Sequence, residues 1–179
     1  PEVLGLLALM LFCDARRAAR RTPDGRYVPL SEQDPAAWSM DAIREAEAEL
    51  GAASRRGRPG RFQLEAPNQS VHAERAQSGR TDWGAIVVFY DHLVRLAPTL
   101  GARVARAAAV TEAQGPAAGL AALDGIEHAL AAAYQPYWAV RAHLLRSLGR
   151  AAEATEAYDR AIGLALDPAT RQFLLARRG

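Results

Sequence analysis

The chain contains no lysine: all 22 of its Lys+Arg residues are arginine. Against 20 acidic residues they leave a formal net charge of only +2. Together with the abundance of alanine, this reads as a GC-rich coding bias. Arginine number alone is therefore no argument for nucleic-acid binding. The single cysteine, Cys13, excludes an internal disulfide. With no recurring Cys/His spacing, it also speaks against a structural zinc site. No long apolar run is present. Val3 to Cys13 is about 11 residues long, where a membrane span needs roughly 20. That segment also lacks a basic stretch before it and a small-residue cleavage site after it, so it does not read as a signal peptide. These features predict a cytoplasmic chain. Starting at Pro1 and running straight into an apolar segment, it is also expected to be part of something longer.

Catalytic signatures are missing too. His72, His92, His128 and His143 lie outside metal-ligand spacing of one another, and there is no H-E-x-x-H. Nucleophile elbows and phosphate-cradling glycine loops are absent. Gly57-Arg58-Pro59-Gly60 reads as a turn, because proline removes a donor that a phosphate would need. Cys13 sits in an apolar stretch and is read as a buried small hydrophobe rather than a nucleophile. Glu45, Glu47 and Glu49 are spread around a helix rather than converging, which gives a solvated face. The expectation is a non-enzyme without metal or cofactor.

Half of the residues are apolar, enough for a sizeable core. Their pattern predicts an all-α fold of stacked antiparallel helix pairs, a tetratricopeptide-like right-handed superhelix. The clearest pair has Trp138, Ala142, Leu145 and Gly149 in its first helix and turn, then Ala154, Tyr158 and Ala161 in its second. A weaker one has Ala107 and Val110, the turn Gly115-Pro116, then Gly119, Leu123 and Ile126. The earliest shows Ile86, Tyr90, Leu93 and Pro98. Ile86, Gly119 and Ala154 are spaced by roughly 34 residues, the tetratricopeptide period. A small residue lets the partner helix approach, and a large one fills the groove beside it. An irregular helix bundle is the alternative, since alanine mimics small positions cheaply.

Residues 1–80 are expected to form an N-terminal helical segment with an irregular stretch over 22–38, and 81–179 the helix pairs, in one continuous domain. In the first part, helices are predicted from Val3 to about Arg20, from about Met40 to Arg55, and from Phe62 to about Arg75. Pro67 either kinks the last of these or restarts it. Ser39 or Asp41 caps the second helix, and Thr81 or Asp82 the helix Trp83–Ala97.

Candidate partner-binding residues are Arg16, Arg17, Arg20, Arg106, Trp138 and Arg141. The basic clusters Arg16-Arg17-Arg20-Arg21 and Arg55-Arg56-Arg58-Arg61 lack aromatic interleaving, so domain docking is favoured over nucleic acid. Arg106 and Arg141, on first helices of their pairs, would favour a partner with acidic or carboxylate groups if they face a concave groove.

Ordered strings along the whole chain carry a more specific signal. Pro1-Glu2-Val3-Leu4-Gly5-Leu6-Leu7-Ala8-Leu9-Met10-Leu11 is followed by Asp14-Ala15-Arg16-Arg17-Ala18-Ala19-Arg20. Then come Gln33-Asp34 with Trp38, Gly57-Arg58-Pro59-Gly60 followed by Phe62-Gln63-Leu64, Val71-His72-Ala73-Glu74, Thr81-Asp82-Trp83, and Tyr90-Asp91 with Leu93. Gly115-Pro116-Ala117-Ala118-Gly119-Leu120 and the stretch from Arg141 to Arg150 complete the series. In this order they resemble the tetratricopeptide-like C-terminal extension of one group of extracytoplasmic-function RNA polymerase sigma factors. The chain departs from that family at Pro35, where arginine is usual, near Pro67 and Asn68, and at Ala105.

The resemblance implies a regulatory protein-interaction domain that controls transcription initiation. Its partners would be the sigma regions of the parent chain, RNA polymerase indirectly, and a DGPF/YCII-related partner protein. It also implies that this segment does not itself bind DNA, and no membrane is involved. The alternative is a small-ligand or peptide sensor whose groove is lined by Arg106, Trp138 and Arg141.

Overall fold

A computed structural model describes residues 1–57 and 59–179. The Arg58 part of the expected turn, and of the second basic cluster, lies outside the described residues. The fold is all-α, with no β-strand among the described residues. The chain divides into two compact units. One comprises Pro1–Asp24 and Val28–Ala97, the other Gly25–Tyr27 and Pro98–Gly179.

The first unit is built around α1 (Glu2–Ala15), which packs on both α2 (Met40–Ser54) and α3 (Arg61–Ala73). Its sequence is apolar nearly all round. Gly5, Ala8, Phe12 and Ala15 form the buried face, and Phe12 alone contributes about 2–3 kcal/mol by leaving water. Gly5 sets the distance to α3. A Cβ there would stand 2.9 Å from the Gln63 backbone nitrogen and 3.0 Å from the Phe62 carbonyl carbon.

Two polar side chains fasten the same corner. The Phe62 N–H donates to the Glu2 carboxylate at 2.9 Å, placing negative charge at the N-terminus of α3 where the helix dipole favours it. Gln63 accepts from the Gly60 N–H at 2.8 Å and donates to the Ala53 carbonyl at 2.9 Å, joining the end of α2 to the start of α3.

Helix α3 runs unbroken through Pro67. Its Ala66, Asn68 and Val71 are buried, and that tertiary burial outweighs the roughly 3 kcal/mol an interior proline costs. The short α4 (Arg75–Ser78) follows and stops at Gly79, whose φ of +68° gives the left-handed cap that glycine provides. Of the two expected caps for α2, Ser39 acts, accepting the Ala42 N–H at 3.3 Å. At α5 (Trp83–Leu96) it is Asp82, accepting the Ala85 N–H at 2.9 Å.

Helix α5 pairs with α3 through Ile86 and Leu93, both buried. It therefore belongs with the N-terminal helices, and the division between units falls at Ala97/Pro98, where the sequence had suggested residue 80. Pro98 and the Thr99 cap start a new helix there, so the break between helices coincides with the packing break.

The second unit contains the two later pairs: α6 (Leu100–Gln114) with α7 (Pro116–Asp124), and α9 (Gln135–Ser147) with α10 (Ala151–Leu164). A single turn, α8 (His128–Ala131), links them, and α11 (Pro168–Arg178) packs on α10. Ile126, expected inside a second helix, lies just beyond the end of α7 but is buried.

Small residues mediate both pairs. A Cβ on Gly119 would collide with Thr111 and approach the Ala107 carbonyl to 3.1 Å. Ala142, Ala154, Ala157 and Ala161 are buried in one core with Tyr158, Leu144 and Leu145. Ile86, the third expected small-residue equivalent, is large and fully buried, which is why the period fades in the earliest pair.

Two glycines separate packing from propensity. Gly5→Ala should destabilise the chain by about 1–3 kcal/mol in urea unfolding, because α3 backbone must give way. Gly163→Ala, on α10 with open space around it, should stabilise by about 0.5–1 kcal/mol.

Candidate functional site

Two places gather charged side chains. The first is a cleft of about 590 Å³ in the second unit, formed by the end of α7, residues 125–128, α9 and α10. Its wall is Trp138. The indole N–H donates to the Ala132 carbonyl at 3.0 Å, and the ring meets His128 and Tyr137 edge-on at 5.4 and 5.1 Å. The Arg160 guanidinium carbon sits 4.4 Å from the ring centroid, a cation–π contact. Trp138 is buried, so most of its area is core packing.

Arg141 also lines the cleft, donating to Asp124 at 2.5 Å and to the Tyr137 hydroxyl at 3.5 Å. Burial works against its charge, but the bond to Asp124 and the Tyr137 hydroxyl outweigh it and raise its pKa. Arg150 holds Glu153 through two bonds of 2.7 and 2.6 Å. Glu127, Glu156 and Arg160 also line the cleft. The sequence had pointed to a basic groove here. Instead the arginines face four carboxylates, two of which, Asp124 and Glu153, are already paired. Arg106 stands on α6 and does not line the cleft. A smaller groove of about 210 Å³ lies between α6 and α9, with Glu112 and His143 among its lining residues.

The second place is in the first unit, at the end of α1. The three arginines expected to act together there have different environments. Arg16 is buried, 9% exposed. It donates to the Phe12 carbonyl at 3.4 Å and to the Gln69 amide oxygen. Arg17 is 85% exposed, with Asp14 at 3.8 Å, a pair worth little in water. Arg20 is exposed and reaches back to the Cys13 carbonyl at 3.0 Å. Arg16 is thus part of the fold, and only Arg17 and Arg20 present themselves to a partner.

Sequence reasoning did not single out Arg75, which joins this group. It donates to the Gln33 carbonyl at 2.7 Å, and its guanidinium lies 5.1 Å from the Trp38 ring centroid. Burial lowers the pKa of Arg16, with Arg20 and Arg75 pushing in the same direction. Beside them His72 is brought down to about 4, first by burial and then by Arg16 and Arg75. Its ring packs edge-on against Trp83 at 5.2 Å. The group comes from three separate segments, around residue 16, 33–38 and 72–75, so no local spacing could reveal it.

Among the described residues, no group of three or more His, Cys, Asp or Glu is placed to hold a metal ion. No helix is long and apolar enough to cross a membrane.

Comparison with known proteins gives a family match over part of the chain and a longer relative. Residues 1–54 match a family of unknown function, DUF6596. Over 174 residues the chain is 38% identical to an uncharacterized protein of Rhizobium meliloti (strain 1021), a match covering 97% of this chain and 41% of the relative. The chain thus spans about two fifths of the length of the curated relative it matches. No solved structure matches.

The His72 shift has a sign. Its folded pKa of about 4 lies below the ordinary 6.5, so between those values the unfolded chain binds more protons. Stability should be full above pH 6.5 and fall as pH drops toward 4, by at most about 1.4 kcal/mol per pH unit. Burial also lowers His143, and its contribution has the same sign. Urea midpoints compared between about pH 7.5 and about pH 5 should differ, and His72→Gln should shrink the difference.

Proposed function

We propose that this chain is the regulatory protein-interaction region of a bacterial sigma factor, controlling transcription initiation by docking on the sigma regions or on a partner protein. The observation that carries this reading is the ordered series of short strings from Pro1 to Arg150, which resembles the extension of extracytoplasmic-function sigma factors. The longer relative supports it: 38% identity across nearly all of this chain leaves more than half of that protein for other regions. On this reading the protein acts in the cytoplasm, and its partners are the parent sigma regions, RNA polymerase indirectly, and a DGPF/YCII-related protein.

The surface at the end of α1 suits docking. Val3, Leu7 and Met10 are exposed apolar residues spaced along one side of the helix, and Arg17 and Arg20 follow on the exposed side. In the full-length protein, Arg17→Glu with Arg20→Glu should lower sigma-dependent reporter transcription while circular dichroism stays unchanged. Unaltered output would remove these residues from the mechanism. Arg16→Glu is unsuitable, since a carboxylate at that buried position would damage the fold.

The cleft of about 590 Å³ favours a second reading, a sensor for a small ligand or peptide. A compound seated against Trp138 and Arg141 raises the unfolding midpoint, and Arg141→Ala should abolish that rise. A metabolite and peptide panel without any such compound would discard this reading.

A further inference from the structure

Several arginines of this protein lie at or near the surface opposite a carboxylate. Arg17 has Asp14, Arg44 has Asp41, Arg61 has Glu65, Arg141 has Asp124, Arg150 has Glu153 and Arg178 has Asp159. The group in the first unit breaks that pattern. Among the described residues, the hydrogen bonds of Arg16, Arg20 and Arg75 go to neutral acceptors: the Phe12 and Cys13 carbonyls, the Gln69 amide, and the Ser31 and Gln33 carbonyls, with the Cys13 side chain also beside Arg16. Glu65, the carboxylate that acts on the neighbouring Tyr90, is held by Arg61 at 2.7 Å.

Burial makes this arrangement costly. A guanidinium removed from water calls for an opposite charge, and carbonyl dipoles replace it only in part. Arg16 is the buried member, while Arg20 is exposed and Arg75 partly so. The short helical turns Ala18–Arg20 and Pro35–Ala37 pack together, and α4, which begins at Arg75, packs on Pro35–Ala37 as well. Arg20 and Arg75 therefore flank one turn. At the end of that turn the indole N–H of Trp38, in a residue 4% exposed, has no hydrogen-bond partner. It supplies another donor beside Arg75. Each guanidinium offers five N–H groups in a planar fork that matches the oxygens of a carboxylate or phosphate, and the bonds above use few of them.

We propose that Arg16, Arg20 and Arg75 form an oxyanion-binding site, in which Arg20 and Arg75 bond the oxygens of a phosphate or carboxylate group and Arg16 stands behind them. The ligand is a free phosphate-type anion or an acidic side chain of a docking segment, recognised by the same chemistry. The site goes beyond the sigma reading and does not depend on it, because its test uses the purified chain and no transcription.

Thermal unfolding is followed while inorganic phosphate replaces chloride at constant ionic strength. The midpoint should rise and saturate, as it does for a ligand that binds only the folded state. Arg20→Gln and Arg75→Gln should each weaken the apparent affinity roughly tenfold or more, the loss of about one charge-assisted bond. Arg44→Gln, exposed on α2 and outside the group, should leave it unchanged. Arg20 is exposed, so its variant remains informative even where Arg75→Gln disturbs the Trp38 contact.

A Glu-rich peptide and its Gln-substituted analogue identify the source. Competition with phosphate by the Glu peptide alone supports a docking segment, and phosphate binding without competition supports a free anion. A midpoint that rises equally in every variant is general salting-out and overturns the proposal. Absence of binding by both phosphate and peptide overturns it too.

Discussion

Close helix–helix approach at small residues is the constraint on which the rest of this structure depends. Gly5 lets α1 lie against the backbone of α3, and Gly119 does the same for α7 against α6. Ala142, Ala154, Ala157 and Ala161 do it for the last pair. A chain so rich in alanine has few large side chains to bury, so it gains packing density by bringing backbones together. The few large residues, Phe12, Ile86, Leu93, Leu123, Leu144 and Leu145, are then almost completely enclosed.

The same economy shapes the electrostatics. Arginine is the only strong cation, and its long stem packs where lysine would stay in water. Arg160 lies on Trp138, Arg75 on Trp38 and Arg146 on Tyr158. These contacts cover aromatic residues that short alanines leave open. In the cleft of the second unit carboxylates surround the arginines. Around Arg16, Arg20 and Arg75 the described residues place none in bonding contact, and that contrast marks the two charged regions as chemically different.

Much of the fold was legible in the sequence. Helix positions, the Ser39 and Asp82 caps and the last two helix pairs follow from period, capping chemistry and turn residues, which are local. Less could be read of the unit boundary, because α5 carries ordinary helical signals on both sides. Only its packing on α3 decides where it belongs. Pro67 shows the same limit: local propensity argues for a break, and burial of the surrounding residues holds α3 together.

For the candidate sites the division is sharper. Arg16, Arg17 and Arg20 form one basic cluster in sequence, yet helical rotation buries the first and exposes the other two. Trp138 and Arg141 were found from their spacing on one helix, but the carboxylates that share their cleft come from α7, the stretch after it and α10. The sequence by itself determined the all-α class, most helix positions and the small positions of the last two pairs, since these depend on residues within one or two turns. Only the tertiary structure decided that Arg16, Arg20 and Arg75 come together, because that depends on distances between segments that are remote along the chain.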